Sequence, residues 1–155
     1  MSKRSVIHEG LERFARGAGL EKKAGAWYRR GDEVVTVVDL QKSQYGAQYY
    51  VNLGFWLREF GGEPYPKGAG CHISVRLEVL APEERKRIAR LLDLVVEMPD
   101  EQRIDELVAL LRERLLPLIE RGSSVAGLRA LLDEGALEAA AIRGPARQAL
   151  DTIAQ

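Results

Sequence analysis

The amino-acid sequence predicts an α+β fold, a four-stranded antiparallel meander with an N-terminal helix and a C-terminal helical segment packed on it. Two observations carry this expectation. Segments with strand-like alternation lie between residues 26 and 79, and segments with helical spacing lie before and after them, as in α+β domains. The chain has 155 residues, within the range of about 100–200 that one compact core accommodates. Residues 1–155 are therefore read as a single domain.

In the first helix Ile7, Leu11, Phe14, Ala15 and Ala18 recur at helical spacing, and Gly17 and Gly19 mark its end. The segment AWYRRGDEVVTVVDL follows, with β-branched and aromatic residues on both sides of Gly31-Asp32. Glycine in the first central position suits a type II′ turn with Arg30 opposite Glu33. A second hairpin turns around Tyr45-Gly46. With Gln44 opposite Ala47, one face carries Val34, Thr36, Val38, Leu40, Tyr49, Val51, Leu53, Phe55 and Leu57, which makes a core. With Gln44 opposite Gln48, Val34 and Leu40 share a face with Asn52 and Arg58. That register is rejected, because a one-residue slip moves every side chain to the other face. The loop EFGGEPYPKGAG is irregular, and CHISVRLEVL is expected to form the fourth strand with Ile73, Val75, Leu77 and Val79 toward the core.

From Ala81 onward helix is expected throughout. Pro82 falls where a first-turn proline is tolerated, and Ile88, Leu91, Leu92 and Val95 form a stripe. A longer helix runs from about Asp100 to Arg121 with Ile104, Leu107, Val108, Leu111, Leu115, Leu118 and Ile119 aligned, kinked in its last turn by Pro117. Ser124 caps a short helix that Gly135 closes, and one or two further helices split near Gly144-Pro145.

Lys plus Arg and Asp plus Glu number 23 each, so no net field favours nucleic acid as a partner. The start MSKRSVIHEGLERF is charged throughout, and no apolar run approaches the ~20 residues that span a bilayer. A cytoplasmic protein without a membrane partner is expected. Cys71, the single cysteine, cannot form an intrachain disulfide. Cys71 and His72 are neighbours on an expected strand and so point to opposite faces, with His8 on the first helix. No metal and no cofactor are expected from that donor set, and the same geometry disfavours a Cys-His nucleophilic pair. PKGAGCH runs into a strand, whereas phosphate-cradling loops run into a helix.

The chosen register gathers Asp39, Gln41 and Ser43 on the face of Tyr50, Asn52 and Trp56, and the fourth strand adds His72, Ser74 and Arg76 to that face. Beneath helices each polar group needs a partner. The face is thus either a hydrogen-bond network in which Asp39 and Arg76 offset each other's charge, or a binding site. Asp39, Gln41, Ser43, Tyr50, Asn52, His72 and Arg76 are the candidate ligand- or partner-binding residues, and no catalytic residue is assigned.

At QKSQYGAQYYVNLG, preceded by GLEKKAGAWYRR and followed by CHISVRLEVL, the chain resembles the bacterial family known as domain of unknown function 4304. The pattern combines a first helix, a G-[FL]-x-K-K-x-x-x-[FWY]-Y-R hairpin start, a Q-K-S near a turn and an aromatic-aromatic-[VI]-N-[LV]-G strand. Gly19, Lys22, Lys23, Trp27, Tyr28, Arg29, Gln41, Lys42, Ser43, Tyr49, Tyr50, Asn52 and Gly54 stand at those positions. The resemblance covers residues 1–98 and leaves 99–155 as a separate helical segment. It implies that Gln41, Ser43 and Asn52 recur together, and it implies no activity.

Three functions fit these residues. The first is a binding module without catalysis, contacting another protein as an immunity or antitoxin protein does, or a ligand. The second is a small hydrolase or transferase on the polar sheet face, with His72 as general base beside Asp39 and Arg76. The third is a structural domain that self-associates through an apolar stripe of the C-terminal helices. The choice between monomer and homodimer stays open.

Overall fold

The computed structural model describes residues 5–153, with side chains to residue 150. Residues 1–4, part of the charged start, lie outside that range. Helix α1 (Val6–Gly17) begins where Ser5 Oγ accepts the His8 N–H at 3.2 Å and ends before Gly19, whose φ of 72° is left-handed. Its buried face, Ile7, Leu11, Phe14 and Ala15, is the one the spacing predicts.

Among the described residues six strands rather than four follow in chain order across one antiparallel sheet: β1 (Glu21–Lys23), β2 (Ala26–Arg30), β3 (Val34–Lys42), β4 (Tyr49–Leu57), β5 (Ile73–Arg76) and β6 (Ala141–Ile142). Strand β1 turns into β2 at Ala24-Gly25, both with positive φ (52° and 84°), the mirror-image turn whose twist matches the strands. Between β2 and β3, Arg30 faces Val35 and not Glu33. The Gly31 N–H donates to Val34 O at 2.9 Å, so Asp32 and Glu33 are the central residues. Gly31 has no positive φ, and the expected type II′ turn does not form. The slip is of two residues, which leaves every side chain on its expected face.

The β3–β4 register is the expected one, with Val34 opposite Leu57, Asp39 opposite Asn52 and Gln41 opposite Tyr50. Strand β5 pairs Leu53 with Val75 and Phe55 with Ile73, then turns at Arg76 into helix α2 (Leu77–Leu80). Leu77 remains fully buried, but Val79 is exposed and not in the core. Two residues apart share a face on a strand, whereas on a helix they stand about 200° apart.

A 3₁₀ turn with Pro82 leads into α3 (Arg85–Leu91), followed by α4 (Asp100–Arg114), α5 (Leu116–Arg121), α6 (Val125–Asp133) and α7 (Gly144–Ile153). Val95 does not join the stripe of Ile88, Leu91 and Leu92; it is 75% exposed. Helix α3 stops at Leu91 because the next backbone groups pair with the β3–β4 hairpin, Tyr49 N donating to Leu92 O and Leu94 N to Ala47 O. Pro117, with no N–H to give the carbonyl four residues earlier, splits α4 from α5 outright. Ser124 caps α6, accepting the Gly127 N–H at 3.0 Å, and Gly135 follows its end with φ 80°. The residues after Ala81 are not all helical, since the chain returns to the sheet edge as β6 before α7.

The main core lies between one sheet face and the helices, and includes Trp27, Val51, Leu53, Phe55, Leu107, Leu111 and Leu131. Helices α1 and α4 approach closely at Gly10, where a Cβ would stand 2.8 Å from Leu107 Cδ2. A smaller cluster of Tyr28, Val35, Val37 and Cys71, joined by Trp56 and Tyr65, occupies the opposite face. That face is covered in part by the Gly- and Pro-rich loop of residues 58–72 instead of by helices.

Candidate functional site

Three adjacent strands carry Asp39, Asn52 and Arg76 in one row across the sheet, and Gln41 sits one step along β3, opposite Tyr50. All project from the face away from the main core, because strand residues alternate and their neighbours Val38, Leu40, Val51, Leu53 and Val75 point inward. Asn52 Nδ2 donates to Asp39 Oδ1 at 2.8 Å and to Gln41 Oε1 at 3.1 Å. Arg76 Nη2 approaches the same Gln41 oxygen at 3.4 Å, and its guanidinium lies 4.1 Å from the Tyr50 ring centroid. Carboxylate and guanidinium are thus joined through two amides, with no direct ion pair within 4.0 Å between Asp39 and Arg76.

The loop of residues 58–72 covers only part of this face. Trp56 Nε1 donates to Gly61 O at 2.9 Å, Tyr65 meets Tyr28 edge to face, and Cys71 fills the notch left by Gly54, where a Cβ would stand 2.8 Å from its sulfur. What the loop leaves open is a cleft of about 570 Å³ lined by Asp39, Gln41, Asn52, Ser74 and Arg76, with Gly68, Ala69, Val75, Val79, Ala139 and Ala141 around them. Gly68 presses on the carboxylate so closely that a Cβ there would overlap Asp39 Oδ2. Burial holds the Asp39 carboxyl above the ordinary carboxylate range, and the Asn52 hydrogen bond opposes that shift.

Three residues of the expected set stand elsewhere. Ser43 shapes the hairpin, its Oγ accepting the Tyr45 N–H at 3.1 Å and its N–H donating to Gln48 O. Tyr50 reaches the cleft only by carrying the Arg76 guanidinium on its ring. His72 is buried at the other end of the face, its Nδ1 accepting the Leu57 N–H at 2.9 Å and its ring 4.4 Å from that of Trp56. Burial, aided by the Arg143 charge, lowers its affinity for a proton.

Cys71 and His72 do not point to opposite faces. Cys71 precedes the first residue of β5, so strand alternation does not govern it, and it packs over Gly54 and Val37 on the side where His72 meets Trp56. Burial foremost, and the Asp39 charge next, push the Cys71 thiol up to about 12. Among the described residues no group of three or more His, Cys, Asp or Glu is placed to hold a metal, and no helix is long and apolar enough to cross a membrane.

The sequence reading missed the walls of the cleft. Gly68 was visible only as part of a glycine-rich loop, and Ala141 lies in, and Ala139 just before, a two-residue strand that leaves no periodic signal. No curated protein and no solved structure matches the chain. A family model described as Domain of unknown function (DUF4304) matches residues 11–121, reaching through α5 beyond the expected limit at residue 98. The match takes in the polar floor of the cleft and leaves out Ala139 and Ala141, and by its extent the chain belongs to that family of unknown function.

Proposed function

We propose that the protein is a binding module whose ligand seats in the open cleft over Asp39, Gln41, Asn52, Ser74 and Arg76. One observation carries this reading: hydrogen-bonding side chains from three neighbouring strands converge in a concavity of about 570 Å³, bordered by Val79, Ala139 and Ala141. Small-ligand sites commonly enclose roughly 300–1,000 Å³, with a few polar groups set among apolar walls. A protein partner of the immunity or antitoxin kind would instead need a contact of about 800 Å² on each side, so the concavity favours a small ligand.

The hydrolase or transferase alternative is less well supported. It calls for His72 as a base within reach of a substrate, and the His72 Nδ1 is engaged by the Leu57 amide, outside the residues that line the cleft. Cys71, with its thiol pushed up to about 12, is a poor nucleophile. The self-associating alternative draws no support from the apolar stripes of α4 and α6, whose leucines are buried in the main core or, at Leu132, packed half-buried against it.

A thermal-shift screen of polar metabolites tests the binding reading. A ligand at about a hundred times its Kd stabilises the folded state by ~2.7 kcal/mol, and the rise in Tm should vanish in Asn52→Ala and Arg76→Gln. A screen in which no compound raises Tm, or a rise that survives both substitutions, would overturn it.

A further inference from the structure

We infer that the cleft selects a small zwitterion, a molecule carrying an ammonium group and a carboxylate on a short flexible spacer, of the class of ω-amino acids and dipeptides. The inference rests on the binding reading of the same cleft and adds the chemistry of its ligand.

The argument begins with two opposite charges that are held apart. Asp39 on β3 and Arg76 on β5 flank Asn52 on β4, in register across the sheet. Two strand spacings separate their backbones by about 10 Å. Each charge is fixed in place by a different neighbour. Asn52 Nδ2 holds Asp39 Oδ1, and Gly68 closes on Oδ2, while the Arg76 guanidinium rests on the Tyr50 ring with Gln41 Oε1 at its edge. An arginine stacked through its face keeps its in-plane N–H donors for a carboxylate. The Asp39 carboxylate, in turn, is half-buried without a cation beside it, which is why burial holds its proton affinity up. An ammonium group brought into the cleft would supply the missing positive charge.

Charge balance separates this ligand from the alternatives. Phosphate or another dianion would meet one guanidinium and, in the same cleft, the Asp39 carboxylate. In the Gly68–Gly70 turn the Gly70 N–H donates to Lys67 O and the Cys71 N–H to Gly68 O, which removes two backbone donors from any anion nest there. A purely cationic ligand would leave Arg76 facing it. Between the charges stands the Asn52 amide, with the Gln41 amide and the Ser74 hydroxyl in the rows on either side, and Val75, Val79, Ala139 and Ala141 also line the cleft, which suits a short, partly apolar spacer.

The test is a chemical-shift titration of the full-length, isotope-labelled protein with 6-aminohexanoate, hexanoate, hexylammonium and inorganic phosphate. The zwitterion should move the amide signals of Asn52, Gly68, Ala69 and Ser74 and bind at least about tenfold more tightly than either singly charged analogue. Arg76→Gln should reduce it to the affinity of hexylammonium, and Asp39→Asn to that of hexanoate. Equal binding of a singly charged analogue, or stronger movement of the same signals by phosphate, would overturn the inference. If none of the four probes moves these signals while another metabolite still raises Tm in an Asn52-dependent way, the zwitterion is wrong and the binding reading stands. If no compound does either, both fall.

Discussion

At the scale of single residues, Thr36 shows how a correct face assignment can hide a cost. It lies where the alternation of β3 places it, 1% exposed in the main core face, and its hydroxyl is buried without a hydrogen-bond partner. Replacing it with valine keeps the shape and removes the unsatisfied group, so Thr36→Val should raise stability by about 1 kcal/mol, read as a higher urea midpoint at unchanged slope. His72 has a pH-dependent cost of the opposite kind. Its neutral Nδ1 accepts the Leu57 N–H, and burial and Arg143 lower its pKa against a smaller opposing pull from Glu59. The unfolded chain therefore takes up the proton first. The stability that His72 contributes is complete above its ordinary value of 6.5 and is lost as pH falls from there through its lowered folded value. Wild type should lose more urea midpoint between about pH 7.5 and about pH 5.5 than His72→Gln does, a comparison that cancels the contribution of Asp39, whose raised pKa acts in the opposite sense. Equal losses would show that the folded ring takes up its proton over the same range as the unfolded one, so that burial does not lower its affinity.

At the scale of elements, the sequence was most legible where one wrong step would have been expensive. Slipping β3 against β4 by one residue would bury Asp39 and Gln41 in the main core and turn Val38 and Leu40 outward, so composition alone chose the observed register. Strands β1 and β6, of three and two residues, are too short to carry a period, and both escaped notice. The end of α3 escaped for another reason. Val95 continues the spacing of Leu91 with no glycine or proline between, and what stops the helix is remote, the backbone of Ala47 and Tyr49 taking the groups that a further turn would use. Arg103 then closes that stop from α4, its guanidinium donating to the carbonyls of Arg90, Leu91 and Asp93. Among the described residues, the β1–β2 turn is the one built on a non-glycine residue with positive φ. Ala24 holds φ at 52°, a left-handed conformation that costs a residue with a Cβ roughly 1–2 kcal/mol. Ala24→Asn would create the Asn-Gly pair this turn prefers and should raise the denaturation midpoint. A lower midpoint would mean that Ala24 contributes a contact that outweighs its backbone cost.

At the scale of the whole molecule, the cleft follows from an unequal covering of the two sheet faces. Helices cover one face, and on the other the loop of residues 58–72 reaches only as far as Gly68 and Ala69. The gap beyond it is bordered by the chain between α6 and α7, which returns to pair Ala141 with Ser74 and Ile142 with Ile73. The C-terminal segment thereby does more than cover the core: it places Ala139 and Ala141 opposite the polar row on β3, β4 and β5. Ala139 is exposed, so a larger side chain there can extend over the cleft without displacing anything buried. Surface changes of this kind usually alter stability by no more than about 0.5 kcal/mol. Ala139→Trp should therefore melt at the wild-type temperature when alone and fail to gain Tm in the presence of a ligand that stabilises wild type. A variant that retains the full ligand-induced rise would place the occupied site away from this wall, and one that melts early would show that residue 139 supports the fold as well as bordering the cleft.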